Sequence, residues 1–260
     1  MFAFSEPDRR VALHLATSFL LLIPIFAAAQ VSISVEGQPV PDSPERFRKA
    51  HHVSTTKDAV ITALQNVDPE VRKVAAEVLS RRWPRDAKAP LEIAMLQEND
   101  AFSRIFIASD LAKIGARAGY EMLITECHNT SEWGSTRILA ARGMTELHDD
   151  SCVDSVLETL RSPSDPQDTN AKIDALNLVP DIIKHFSGQE HRNVMDLTMS
   201  ALDDPDAGVR LTASVTLGRL GDTSAIAALQ AAVTTEQDAT VQNAMLGELK
   251  RLKTLQQVQK

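Results

Sequence analysis

From residue 57 onward, apolar positions recur with the spacing of a helix rather than that of a strand. They keep step with a basic or amide residue that returns at near-constant intervals: Arg72, Arg104, Arg137, Lys172, Arg210 and Gln242, separated by 32, 33, 35, 38 and 32 residues. Three residues after each stand Ala75, Ile107, Ala140, Ala175, Ala213 and Met245, and seven after stand Leu79, Leu111, Met144, Val179, Leu217 and Leu249. Ten after come Arg82, Ile114, Leu147, Ile182, Leu220 and Leu252, where only the first unit is polar. Offsets of three, seven and ten trace one stripe of an α-helix, and small residues at the first of them let helices approach closely. An acid stands four places before each anchor, at Asp68, Asp100, Asp168, Asp206 and Asp238, except in the third unit, where the residue is Trp133.

A shorter helical pattern precedes every anchor: Ala59 to Leu64, Leu91 to Leu96, Ala118 to Cys127, Cys152 to Leu160, Val194 to Leu202 and Ala225 to Val233. Asp68-Pro69, Asp204-Pro205 and Gln237-Asp238 supply turns and caps between the paired helices, and Pro69 suits a first helical turn. Gly115, Gly188 and Gly221 are expected to close second helices, where a left-handed residue is often needed. The unit is thus a helical hairpin, repeated about six times. No hairpin of this size buries its apolar face alone, so the units must stack into an all-α fold, an α-solenoid with one continuous core.

The run Asp68-Pro69-Glu70-Val71-Arg72, followed by Val74-Ala75-Ala76-Glu77-Val78-Leu79, resembles the HEAT repeat, in particular the short bacterial type also found in phycobilin lyases. Asp206-Ala207-Gly208-Val209-Arg210, with Ala213, Leu217, Gly218 and Leu220 behind it and then Gly221, Asp222 and Ala225, repeats that pattern. The resemblance extends over residues 57 to 253, is close in units one and five and faint in units three and four. It implies that the recurrent acid and base form a ladder between neighbouring units, giving Asp68, Arg72, Asp100, Arg104, Asp168, Lys172, Asp206 and Arg210 a structural role.

Ahead of the repeats, Met1 to Ala29 reads as a secretory signal peptide. Arg9 and Arg10 precede an apolar run from Val11 to Phe26, and Ala27-Ala28-Ala29 offers a cleavage site. The alternative is a retained membrane anchor, since Val11 to Ala29 could just span a bilayer. Residues 30–56, with Pro39, Pro41, Pro44 and Gly37, read as a linker, and residues 57–260 as the repeat domain.

Composition agrees with this division. Hydrophobic residues make up 43% of the 260 and aromatics only 4%, so the core rests on Ala, Leu, Ile and Val, which suits closely packed helices. The formal charge of −8 is unchanged by loss of residues 1–29, which hold two acids and two bases. That argues against a nucleic-acid binder, which should carry a basic stripe. Two cysteines, Cys127 and Cys152, invite a disulfide in an oxidising compartment. The first lies late in its helix and the second early in the parallel helix of the next unit, about 13 Å apart along the axis. Two buried, unpaired thiols are therefore expected, with a disulfide as the alternative. The same placement spreads the possible zinc ligands Cys127, His128, His148 and Cys152 apart, so no metal site is expected. His51-His52 falls in the linker, and His185 and His191 read as polar residues at helix ends.

Unit four departs from the pattern, with the insertion Ser162-Pro163-Ser164-Asp165-Pro166-Gln167 and with Pro180 inside its second helix, where a kink or break is expected. No nucleophile elbow, phosphate-cradling loop, HExxH motif or dinucleotide fingerprint occurs, so neither catalysis nor a cofactor is expected. Position nine after each anchor should face away from the stack: Arg81, Lys113, Glu146, Asp181, Arg219 and Arg251, with Arg142 one turn before Glu146. This column is mixed in sign, which suits a protein or peptide better than a phosphate backbone. The expected function is a periplasmic or secreted, non-catalytic scaffold that binds a protein partner. A phycobilin-lyase-like enzyme is the alternative, resting on the repeat resemblance alone.

Overall fold

The computed structural model describes residues 56–258, which form six helical hairpins with no strand among them. The expected signal peptide and the expected linker up to residue 55, with His51-His52, lie outside the described residues. The hairpins pair α1 (Lys57–Ala63) with α2 (Pro69–Arg82), α3 (Pro84–Gln97) with α4 (Ala101–Lys113), and α5 (Arg117–Cys127) with α6 (Gly134–Glu146). They continue as α7 (Val153–Arg161) with α8 (Thr169–Ile182), α9 (Gly188–Ser200) with α10 (Ala207–Leu220), and α11 (Ile226–Thr235) with α12 (Ala239–Val258). None of these helices is long and apolar enough to cross a membrane.

The stripe read from the sequence is the core. Ala75, Ile107, Ala140, Ala175, Ala213 and Met245 are fully buried, as are Leu79, Leu111, Met144, Val179 and Leu217. Each even-numbered helix packs on the next, α2 on α4, α4 on α6, and so on to α12, while also packing on its own hairpin partner. This is the α-solenoid, because every hairpin completes its apolar burial only against its neighbours. Closeness is extreme where α5 packs on α4: a Cβ on Gly119 would run into the Ala108 carbonyl O.

The inter-unit ladder exists, but half of its expected members do something else. Asp68 accepts from Glu70 N at 2.9 Å, Asp100 from Ser103 N at 2.8 Å, and Asp206 from Val209 N at 3.0 Å, so these acids cap their own helices. Asp168 reaches back instead and caps α6 of the preceding unit, accepting from Ser135 N at 2.8 Å. Exposed first-turn amides attract the nearest side-chain oxygen, and a carboxylate so engaged faces away from the ladder. The bases pair with other acids, always in the next unit: Arg72 with Glu98, Arg104 with Glu126, Arg137 with Glu158, Lys172 with Asp204 and Arg210 with Glu236. Two of the arginines also hold their own unit's connecting loop. Arg72 donates to the Asn66 and Val67 carbonyls at 2.8 and 3.0 Å, and Arg210 to those of Asp204 and Pro205 at 2.9 and 3.0 Å.

Helix ends follow the register too. The residue eleven after the anchor takes positive φ at Gly115 (80°), His148 (58°) and Gly221 (69°), so the histidine stands where the other two units use glycine. Gly188 has positive φ as well, but it opens α9 rather than closing α8. Pro180 does not break α8, which continues to Ile182 and tightens into a 3₁₀ turn over Ile183–His185.

Candidate functional site

Two surface regions stand out on this scaffold. The first is the column on the even-numbered helices. Arg81, Lys113, Glu146, Asp181, Arg219 and Arg251 are all exposed, as their register requires. Lys113 Nζ lies 2.7 Å from Glu146 Oε2, which shows directly that equivalent positions of α4 and α6 sit side by side. Arg142 is half-buried and reaches across to Asp174 on α8 at 2.7 Å. Elsewhere the column is laced along its own helices: Arg81 to Glu77 at 2.7 Å, Lys184 to Asp181 at 3.1 Å and Arg251 to Glu248 at 3.5 Å. Beneath it, between α2 and α4, Asp110 is buried. Burial pushes its carboxyl up to about 7 and Glu77 adds to the effect, while Lys113, Arg81 and a hydrogen bond with Ser80 oppose it.

The second region was not anticipated and lies where units three and four meet. A cleft of about 320 Å³ is walled by the start of α6, the end of α7, the inserted loop and the start of α8. Trp133 stands at its edge with 54% of its surface exposed. In units one, two and five an aspartate at the equivalent place caps the second helix, whereas Trp133 makes no capping bond and Asp168 caps α6 in its stead. The inserted loop is pinned, with Ser162 Oγ donating to the Glu158 carbonyl at 2.9 Å and Ser164 Oγ to Asp204 Oδ2 at 2.6 Å. The sequence carries the signal as an absence. Six residues before the anchor, units two, five and six have Glu98, Asp204 and Glu236, whereas units three and four have Ser131 and Pro166.

Beside this cleft the cysteines correct the expectation of free thiols: Cys127 and Cys152 form a disulfide with their Cα atoms 5.9 Å apart. The expected separation fails because α7 is slipped along α5. Ser155 Oγ donates to the Cys127 carbonyl at 2.6 Å, so the first turn of α7 lies against the last turn of α5. The ligand atoms of Cys127, His128 and Cys152 come within 4.8 Å of one another, closer than the sequence spacing implies. The two sulfurs are bonded to each other, however, and a metal needs them as thiolates. His128 Nδ1 lies 2.9 Å from the Ile124 carbonyl, and His148 holds the turn after α6. His185 does more than end a helix: its Nδ1 lies 2.8 Å from Asp150 Oδ2.

Residues 182–250, from the end of α8 into α12, match the family model for HEAT repeats. None of the curated proteins matches the chain. Among solved structures it is similar to an engineered protein, with 19% identity over 76% of this chain and 97% of that one and a TM-score of 0.42. It is also similar to the complex of CpcE and CpcF of phycocyanin lyase from Nostoc sp. PCC7120, with 18% identity over 76% and 94% of the two chains and a TM-score of 0.36. Likeness this remote has no bearing on function.

Proposed function

We propose that this HEAT-repeat solenoid is an exported, non-catalytic scaffold that holds a protein or peptide partner on the exposed side of its even-numbered helices. The observation that carries the reading is the aligned, exposed column from Arg81 to Arg251, with Lys113 and Glu146 in register at 2.7 Å. A stacked array presents such a surface to partners longer than any single helix, and a surface mixed in sign recognises a protein by complementarity. Export is supported by the Arg9-Arg10 and Ala27-Ala28-Ala29 pattern and by the Cys127–Cys152 disulfide, a bond that persists in oxidising compartments.

The reading is tested by affinity capture with residues 30–260 from an envelope fraction, before and after charge reversal at Arg81, Lys113, Arg219 and Arg251. A partner lost on charge reversal is the expected result. A partner retained unchanged would place the binding surface elsewhere, and a chain found only in the cytoplasm would remove the export component.

A further inference from the structure

The cleft between units three and four has the properties of a pocket for one cationic side chain. Four features converge there. An indole occupies a position that the other repeats give to a capping aspartate, and it is left 54% exposed although α6 is capped by Asp168. The opposite wall is an insertion held in place by hydrogen bonds from Ser162 and Ser164. The cleft's two bases are already neutralised: Arg137 pairs with Glu158 at 2.7 Å, and Lys172 with Asp204 at 3.1 Å. Two further acids of the lining, Glu132 and Asp165, have no ion pair among the described residues.

A cavity with an aromatic face and unneutralised carboxylates attracts a cation, and a planar guanidinium matches both, stacking on the ring while its N–H groups reach the acids. An anion would meet the same carboxylates unfavourably, and a neutral apolar group would leave them desolvated. About 320 Å³ leaves room for a long side chain with some of the backbone that carries it. We propose that this cleft receives an arginine side chain of the partner. The proposal rests on the reading of the chain as a protein-binding scaffold and names one contact that the scaffold makes.

The test uses the full chain with Trp83 replaced by Phe, so that Trp133 is the sole remaining tryptophan. Its fluorescence is titrated with acetyl-Gly-Arg-Gly-amide and with the matching citrulline peptide, which keeps the shape and removes the charge. A saturable change with the arginine peptide, and binding of the citrulline peptide weaker by about tenfold, is expected. The double variant Glu132→Gln/Asp165→Asn should weaken the arginine peptide by a similar factor while leaving the melting temperature unchanged, since neither side chain is in an ion pair. Equal response to both peptides, no saturable response to either, or full binding by the double variant would each overturn the assignment. The peptide assay needs no partner, so its failure leaves the scaffold reading standing. Loss of capture on reversal of the helix column, with the peptide still bound, separates the two in the other direction.

Discussion

Arg210 holds Glu236 of the next unit with two parallel bonds, Nε to Oε2 at 2.7 Å and an Nη to Oε1 at 2.9 Å. Glu236 Oε1 also accepts the amides of Gln237 and Asp238, both at 2.9 Å, so the carboxylate joins the base of one unit to the helix start of another. Arg72 and Glu98 repeat the arrangement at the other end of the array, with Glu98 Oε1 accepting from Asp100 N at 2.9 Å.

Breaking this fork should be costly. With Glu236 2% exposed, Arg210→Ala leaves a buried charge without its partner and is expected to lower stability by about 3 kcal/mol, as read by urea denaturation at pH 7. The Arg210 bonds, aided by the two amides and opposed by burial, hold Glu236 down to about 2, against 4.5 ordinarily. A depressed carboxylate contributes stability above its unfolded pKa and loses it as pH falls toward its folded one. The parent should therefore weaken between about pH 4.5 and 2, and the difference between parent and Glu236→Gln should shrink over the same window.

Asp110 has the opposite sign. The unfolded chain releases this proton near pH 4, whereas the folded chain keeps it until about 7. Between those values the folded state binds more protons, so stability falls as pH rises and the penalty is complete above 7. Asp110→Asn should stabilise the protein at pH 8 by an amount on the order of 2–4 kcal/mol and have little effect at pH 3. Thermal melts at both values check this, and equal shifts at both would contradict it.

His148 illustrates how the repeat tolerates substitution at its turns. A non-glycine residue at φ 58° costs about 1 kcal/mol, which glycine avoids while adding freedom to the unfolded chain. His148→Gly should keep stability within about 0.5 kcal/mol of the parent, whereas His148→Val should lower it by about 1 kcal/mol or more. Denaturation midpoints of the two variants supply the comparison.

The disulfide predicts that no thiol is alkylated in denaturant until reductant is added, and that both are labelled afterwards. It closes a sequence separation of 25 residues, and its loss in Cys127→Ala/Cys152→Ala should lower stability by about 3 kcal/mol. Mass spectrometry and urea denaturation give the two readings, and quantitative alkylation without reductant would contradict the bond.

What could be read from the sequence was whatever the stack imposes alike on every unit. Alanine at 75, 140, 175 and 213 recurs because each second helix approaches its neighbours equally closely, and the apolar residue seven places after each anchor recurs for the same reason. The ladder acids were hidden because a second acid stands closer to the base: Asp206 lies four residues before Arg210 and caps its helix, while Asp204, six before it, serves the ladder. In units three and four those acids come instead from within the preceding helix, at Glu126 and Glu158, and keep no fixed offset. The disulfide was missed because a slip of α7 along α5 leaves no mark in residue spacing. The cleft lay where the repeat grew faint, at Ser131, Trp133 and Pro166, and a pattern's lapse shows where to look without showing what is there.

The seam between units three and four is stitched differently from the others. Its ladder acid, Glu158, is 58% exposed, whereas the other four are 9% exposed or less. An exposed pair contributes under about 1 kcal/mol, and here the Asp168 cap on Ser135 N, the Arg142–Asp174 pair and the Cys127–Cys152 bond join the two units beside it. In a linear array each repeat holds only its neighbours, so a cross-link at this one seam reinforces the junction between the first three hairpins and the last three.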